Sequence, residues 1–341
     1  MQMRDDLGIT TKLENGKAYL EFALPEKIGR LLSALQIEIW EGAEGERLVF
    51  HGEYSSEEAD SMTALLLRPH LWDGMRDPYV YLVKAQGRFR SVEYGEKMGG
   101  MEKEEKLDPA EDITGEVEMY WRQELTIYDV RVVEKKGILL NEKEFLPHEV
   151  VYRLPPQISD AGTRVEQVRR DLERLVQMGV NVIRLEGTGT GAEGVNCSEV
   201  RTFYSLCRKR GFLTGDLWIR PENLPVYRGL PGETTCQALL VADGRTLTER
   251  YYYYQAKWSS EPVLYPVLST LHRQENGLLS LTIYSNQKKV VLYVDGVLFL
   301  FQSAASGDPE FIFEDIPVAK LPLHLAVEAG NLSISLTVSK I

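Results

Sequence analysis

Cysteine is scarce in this 341-residue chain: Cys197, Cys207 and Cys236 are the whole set, odd in number and without C-x-x-C spacing. That argues against a disulfide framework or a thiolate metal knuckle and for reduced thiols packed in a core. Basic charge is outweighed, and the net charge of −12 argues against a nucleic-acid partner, whose phosphates attract a basic face. No apolar run approaches the roughly 20 residues of a membrane span, so no membrane partner is expected. The opening MQMRDDLGITTKLENG has no apolar core of the secretory kind, and a cytoplasmic location is expected. The histidines, His51, His70, His148, His272 and His324, show neither H-x-x-x-H nor H-E-x-x-H spacing. No metal site is expected from them, and no cofactor is called for.

What is present is a soluble globular composition, 43% hydrophobic and 26% charged, long enough for two or three domains. The first ~85 residues alternate as antiparallel strands do. KAYLEFAL follows the turn signal Asn15-Gly16, and SALQIEIW, RLVFHGEY, MTALLLR and YVYLVKA come after it. Residues 88–118 are charged and glycine-containing and read as an insertion. EVEMYWRQELTIYDVRVVEKKGILLNEKEF then returns to strands.

Residues 163–219 have another texture. Thr163 and Glu166 have capping-box spacing, and Val165, Val168, Leu172, Leu175 and Val176 fall on one helical face. Gly179 supplies a left-handed stop, and VNVIRL suits a strand covered on both faces. A second helix over Ser198–Arg210 turns Val200, Phe203, Tyr204 and Cys207 inward, Gly211 ends it, and FLTGDLWI reads as a strand. This α-β-α-β order implies a parallel sheet. After Pro221 the chain is irregular, and residues 246–258 read as one helix. From Val263 onward strands return as a second sandwich, with turns at Asp295-Gly296 and Gly330-Asn331. No internal repeat is visible, although both ends are sandwich-like.

RPHLWDGMRDPYVYLVKA and KKGILLNEKEFL are similar to a P-x-L-W-x-x-x-x-P-x-L-Y segment and a G-F-x-L-N-G-K-P hairpin before a barrel, and with them the chain resembles glycoside hydrolase family 2, the β-galactosidases, β-glucuronidases and β-mannosidases. VRRDLERLVQMGVNVIRL resembles I-x-x-D-L-x-x-M-K-x-x-G-x-N-x-I-R, the first barrel helix and second strand. FYSLCRKRGFL resembles F-Y-D-L-C-D-E-x-G-I. GRTLTERYYYYQAKWSSEPVLYPV is similar to the last barrel helix and its exit, and LTIYSNQKKVVLYVDGV to the domain after it. The match follows the family's order along nearly the whole chain.

The departures bear on activity. Family members usually begin with a sugar-binding jelly roll, and here an immunoglobulin-like segment comes first. The family's G-V-N-R-H reads EVVYR at residues 149–153, without its Asn and His. A closed (β/α)₈ barrel takes about 250 residues. From Gly211 to Tyr251 there are 40. The resemblance would place the acid/base and nucleophile glutamates in that interval, where most of strands three to eight cannot fit. Asn141-Glu142, the only Asn-Glu here, lies in the hairpin and is not the family's catalytic pair.

Retaining glycosidases need two carboxylates about 5–5.5 Å apart. Glu186, Glu193, Asp216 and Glu222 are the acids of the α/β segment to weigh. Glu186 follows VNVIRL at the end where barrel chemistry sits, and Asp216 lies near a strand, able to cap a turn or pair with Arg184. Each also reads as a purely structural carboxylate, and no pair is compelling. Arg184, Glu186, Asp216 and Trp218 are the binding candidates, with Glu186 and Asp216 the catalytic ones. Gly189–Gly194 spells G-x-G-x-x-G after a strand, with Asp216 22 residues past Gly194. The following helix starts too late for its first-turn amides to hold a phosphate there. Tyr251, Tyr254 and Trp258 fall on one helical face, a packing stripe more readily than a sugar platform. Trp72 and Tyr79 read as core or interface residues.

The expected architecture is an immunoglobulin-like sandwich over residues 1–133, a truncated barrel remnant over 134–250 and a second immunoglobulin-like sandwich over 251–341. The expected function is that of a non-catalytic relative of the family, binding carbohydrate or a protein. A glycosidase living on remnant carboxylates and a nucleotide module on the glycine loop are the other readings. Open edges of a partial parallel sheet call for cover, by residues 220–245 or by a homodimer.

Overall fold

The computed structural model describes residues 7–92, 113–155, 161–186, 197–215, 224–230, 238–305 and 307–340. Within them the protein is mostly β, with few helices, and it divides into two compact units, Met1–Phe145 and Leu146–Ile341.

In the first unit, β1 (Gly8–Glu14) and β2 (Lys17–Ala23) form a hairpin through Asn15 and Gly16. Both turn residues take positive φ, 50° and 71°, as a turn matched to strand twist requires. Alternation then sends Ala18, Leu20 and Phe22 inward. A single helical turn, α1 (Glu26–Gly29), precedes β3 (Leu32–Glu41), β4 (Arg47–Ser55), β5 (Thr63–Leu67), β6 (Tyr81–Val92) and β7 (Ile113–Leu125). Two antiparallel sheets, ordered β1-β2-β5 and β4-β3-β6-β7, close on one core in which Leu20 and Phe22 meet Ile37, Ile39 and Val83. The insertion expected over 88–118 is shorter at both ends. Residues 88–92 and 113–118 pair, Arg88 with Glu118 and Arg90 with Glu116, and residues 93–112 lie outside the described residues. The hairpin β8 (Val130–Val133), β9 (Gly137–Leu140) and β10 (Lys143–Glu144) belongs to this unit, which runs to Phe145. Asn141 ties it there: its Nδ2 donates to the Trp72 carbonyl at 2.9 Å, and its Oδ1 accepts from the Asp129 amide at 3.0 Å.

The second unit begins with β11 (Glu149–Tyr152), α2 (Ala161–Met178), β12 (Val182–Leu185), α3 (Cys197–Lys209), β13 (Leu213–Thr214), β14 (Val226–Arg228), β15 (Ala238–Leu240) and α4 (Glu249–Trp258). Its five strands are all parallel, in the order β13-β12-β11-β14-β15. Thr163 lies inside α2, which starts by Ala161, so Thr163 does not cap it; Thr-x-x-Glu is also an ordinary pair on a helix face. Val168, Leu172, Leu175 and Met178 are buried, whereas Val176, expected inward, is exposed. Gly179 and Gly211 end the helices with φ of 87° and 84°. Residues 246–248, expected to be helical, instead return along β15. Thr248 N donates to Leu239 O at 3.0 Å, and Leu240 bridges Leu247. The chain thereby covers the outer edge of β15 with its own backbone.

The unit ends with β16 (Leu264–Arg273), β17 (Leu279–Ser285), β18 (Lys289–Val294), β19 (Val297–Ser303), β20 (Glu310–Ile316), β21 (Leu323–Ala329) and β22 (Leu332–Val338). These form antiparallel sheets β16-β17-β20 and β19-β18-β21-β22 around a core that includes Leu281, Leu292, Phe313 and Leu325. Strand for strand this is the order of the first unit, a likeness that leaves no repeat in the sequence because alternation and turns tolerate wholesale substitution. Between the α/β core and the core of the last sandwich, α4 faces both ways. Tyr251 is buried in the α/β core with Tyr254 and Trp258 beside it, while Tyr252 stacks on Tyr265 at 3.8 Å and Tyr253 meets Tyr284 edge-on at 5.5 Å. Among the described residues no helix is long and apolar enough to cross a membrane.

Candidate functional site

In a parallel sheet, ligands sit beyond the carboxyl ends of the strands, above all where the strand order reverses. Here that point lies between β11 and β14. Alternation decides what each strand shows. Val150, Tyr152, Ile183, Leu185 and Tyr227 join the core under the helices, with α2 packed against both α3 and α4. Glu149, Val151, Val182 and Arg184 occupy the alternate positions.

Arg184, a binding candidate, pairs with the buried Glu149: Nε donates to Oε1 at 2.9 Å. Their strands make this pair, since Glu149 sits opposite Val182 and Val151 opposite Arg184. Glu186, the catalytic candidate, follows β12 and is held by Arg153 at the end of β11. The Arg153 Nε donates to Glu186 Oε2 and its Nη2 to Oε1 at 3.3 Å, while Nη1 donates to the Arg228 carbonyl at 3.3 Å. Glu186 remains about half exposed, and Arg153 is largely buried. The two carboxylates Glu149 and Glu186 stand four residues apart along the paired strands, roughly 13 Å. They are not an acid/base pair. Asp216 and Trp218, with Glu193 and Glu222, lie outside the described residues, as does the glycine loop 189–194. That loop follows β12, not β11, so it does not leave the strand at the reversal point.

Beneath the strand ends lies a polar hub that sequence reading passed over. Asp171 of α2 is fully buried. Its Oδ2 accepts from Tyr152 Oη at 2.8 Å and Arg228 Nη2 at 2.7 Å, and its Oδ1 from Gln167 Nε2 at 2.9 Å and Tyr227 Oη at 3.3 Å. The Tyr152 ring stacks on Tyr227 and Phe203 with centroids 5.5 and 4.8 Å apart. Burial first, then the Asp171 charge, pushes both phenols far above their ordinary range, so they serve as neutral donors. The signal was legible: Asp171 sits among Val168, Leu172 and Leu175 on the buried stripe, where an acid needs partners. Gly244 (φ 69°) lies against Arg228, and a Cβ there would come 2.6 Å from Nη1. The turn is pinned by Asp243, which accepts from the Arg245 and Thr246 amides at 2.8 and 2.9 Å and from Thr246 Oγ1 at 2.6 Å. Those bonds hold its carboxyl at about 2.

The arrangement leaves the half-exposed Glu186, held by Arg153, at the strand ends. Among the described residues it assembles no second carboxylate beside Glu186, and no group of three or more metal-ligating side chains. Two surface depressions, of about 280 and 230 Å³, lie on the sandwiches.

No protein-family model and no curated protein matches the sequence. Solved structures do match in fold. An FMN-binding β-glucuronidase from Facaelibacterium prausnitzii is 14% identical with a TM-score of 0.60, over 98% of this chain and 74% of that one. A β-glycosidase from Bacteroides vulgatus is 11% identical with a TM-score of 0.61, over 98% and 64%. A glycosyl hydrolase family 2 member from Bacteroides cellulosilyticus is 12% identical with a TM-score of 0.58, over 98% and 63%. This chain thus spans less than two thirds of the length of the latter two. In fold, over almost its full described length, it is similar to family 2 glycoside hydrolases.

Proposed function

We propose that this chain is a catalytically silent relative of the family 2 glycoside hydrolases, serving carbohydrate metabolism by binding a sugar or a protein. In this reading two immunoglobulin-like sandwiches flank a partial barrel. Supporting it, β11, β12 and β13 follow one another as barrel strands do, and their helices form a single layer with α4. The observation that carries the silent reading is the pairing of Glu186 with Arg153 at the strand ends, with no second described carboxylate beside it. A retaining site holds two facing acids with room for the substrate between them. A sugar would meet the outer side of the Arg153–Glu186 pair. Association through the edges of the α/β sheet is a weaker part of the proposal, since residues 246–248 already cover β15.

The second reading, an active β-glycosidase, draws on the solved neighbours named above and on Asp216, Glu193 and Glu222. Nitrophenyl β-galactoside, β-glucuronide and β-mannoside separate the two. The silent protein releases no nitrophenol from any of them beyond the uncatalysed rate. Turnover that Glu186→Gln abolishes would overturn the proposal. Thermal-shift screening with sugars and dinucleotides then reports what, if anything, is bound.

A further inference from the structure

The two sandwiches share a topology, so their corresponding edges can be compared. β4 and β19 are the same edge strand in the two units. β4 reads RLVFHGEYS and carries Arg47, His51 and Glu53, the charges that keep an exposed edge from pairing with another chain. β19 reads VLFLFQS, with no charge and no proline. Val297, Leu298, Leu300 and Phe301 are 69%, 55%, 42% and 54% exposed. Val297, Leu298 and Phe299 also wall the 230 Å³ depression, together with Val294, Pro317 and Ala319. Such an uncharged, apolar edge is a template for strand addition.

We propose that β19 is a self-association surface on which a second copy of this chain docks, antiparallel, edge to edge. Two observations favour that occupant. First, an uncharged strand meets its own copy without repulsion. Second, the charges around β19 lie at opposite ends. Lys289 is opposite Ser303, its amine 4.0 Å from the Phe301 ring centroid, and Asp295 stands at the turn before Val297. An antiparallel copy therefore sets lysine toward aspartate at both ends, within about a Debye length of 8–10 Å, whereas a parallel one sets like toward like. The four apolar side chains alternate between the two faces of the sheet, so edge-to-edge pairing covers only part of each, and the contact falls below the ~1,200 Å² low end of specific interfaces. The register break at Phe299, between the Leu292–Leu300 and Tyr293–Leu298 pairs, interrupts the strand midway along the pairing. The association is therefore weak and reversible.

Sedimentation equilibrium over a concentration series tests this. The expected result is a monomer–dimer equilibrium with Kd in the range of about 1–100 μM. Phe301→Glu and, independently, Leu298→Lys should each raise Kd at least ~10-fold, with circular dichroism unchanged. Leu48→Glu, on the corresponding edge of the first unit, should leave Kd within about twofold. A monomer at every concentration overturns the proposal. So does a dimer indifferent to both β19 substitutions, or one equally weakened by Leu48→Glu.

Discussion

Asp171→Leu removes the acceptor at the centre of the hub and leaves a side chain of similar volume. Arg228, 6% exposed at its side chain, then keeps a buried charge whose 2.7 Å partner is gone. Breaking a buried pair from one side costs about 3–5 kcal/mol. The hydroxyls of Tyr152 and Tyr227 lose their acceptor as well, each worth about 1–3 kcal/mol if left unsatisfied. These terms share one site and do not add. We expect a loss of about 4–6 kcal/mol, a large part of a typical 5–15 kcal/mol of stability. In a unit of this size that is a fall in Tm of roughly 8–24 °C. Arg228→Met alone costs less, about 2–4 kcal/mol, because the carboxylate keeps Gln167 and two tyrosines. The double variant is the decisive one: with both charges gone it should regain at least ~2 kcal/mol over the sum of the singles. Urea unfolding followed by circular dichroism reads all three. A single variant that fails to fold while the double folds gives the same answer. An Asp171→Leu loss below about 1 kcal/mol, or strict additivity, would refute the account of the hub.

Two further outcomes follow from the base of the same sheet. Gly179 has φ of 87°, and a Cβ there would stand 2.4 Å from the Trp258 carbonyl oxygen, so Gly179→Ala should cost at least ~2 kcal/mol in a thermal melt. His148 stacks on Trp258 at 5.2 Å, and its Nδ1 is 2.9 Å from Gly179 O; burial lowers its pKa below 6.5, against a smaller opposing effect of that bond. The unfolded chain then binds the proton more readily, so the stability His148 gives is present above about 6.5 and drains as pH falls toward the folded value. His148→Gln should flatten the stability–pH curve between about 7 and 5, and an unchanged slope there would refute the assignment.

Legibility in the sequence followed local physics. Asn15-Gly16, Gly179 and Gly211 announced their conformations because each needs positive φ, which side-chain chemistry advertises. Tyr251, Tyr254 and Trp258 announced their packing through helical spacing. What stayed hidden was non-local. Nothing near Val226 says that β14 lies beside β11, a neighbour 75 residues earlier by the Val151–Val226 pair. Nothing near Thr246 says that the chain turns back along β15 before α4 begins. Arg153 and Arg228 were missed for the same reason: their meaning comes from Glu186 and Asp171, which only the sheet order brings to them. Asp171 was the exception, a buried acid that helical spacing alone exposes.

The acids that the described strands and α2 bring to the sheet share one fate. Glu149 meets Arg184, Asp171 meets Arg228 and Glu186 meets Arg153. A general acid has to stand within about 2.6–3.2 Å of a substrate oxygen and hand it a proton. Each of these carboxylates directs oxygens at a guanidinium instead, and two of the three are buried. The arginines also answer the difficulty of a sheet whose strands reverse order at β11. Arg153 reaches from β11 to Glu186 after β12 and to the backbone of β14, so one side chain spans three neighbouring strands across the reversal. Arg228 runs from β14 to α2. In the proposed silent reading, the pairing that ties these strands and α2 together is also what withdraws their described acids from catalysis.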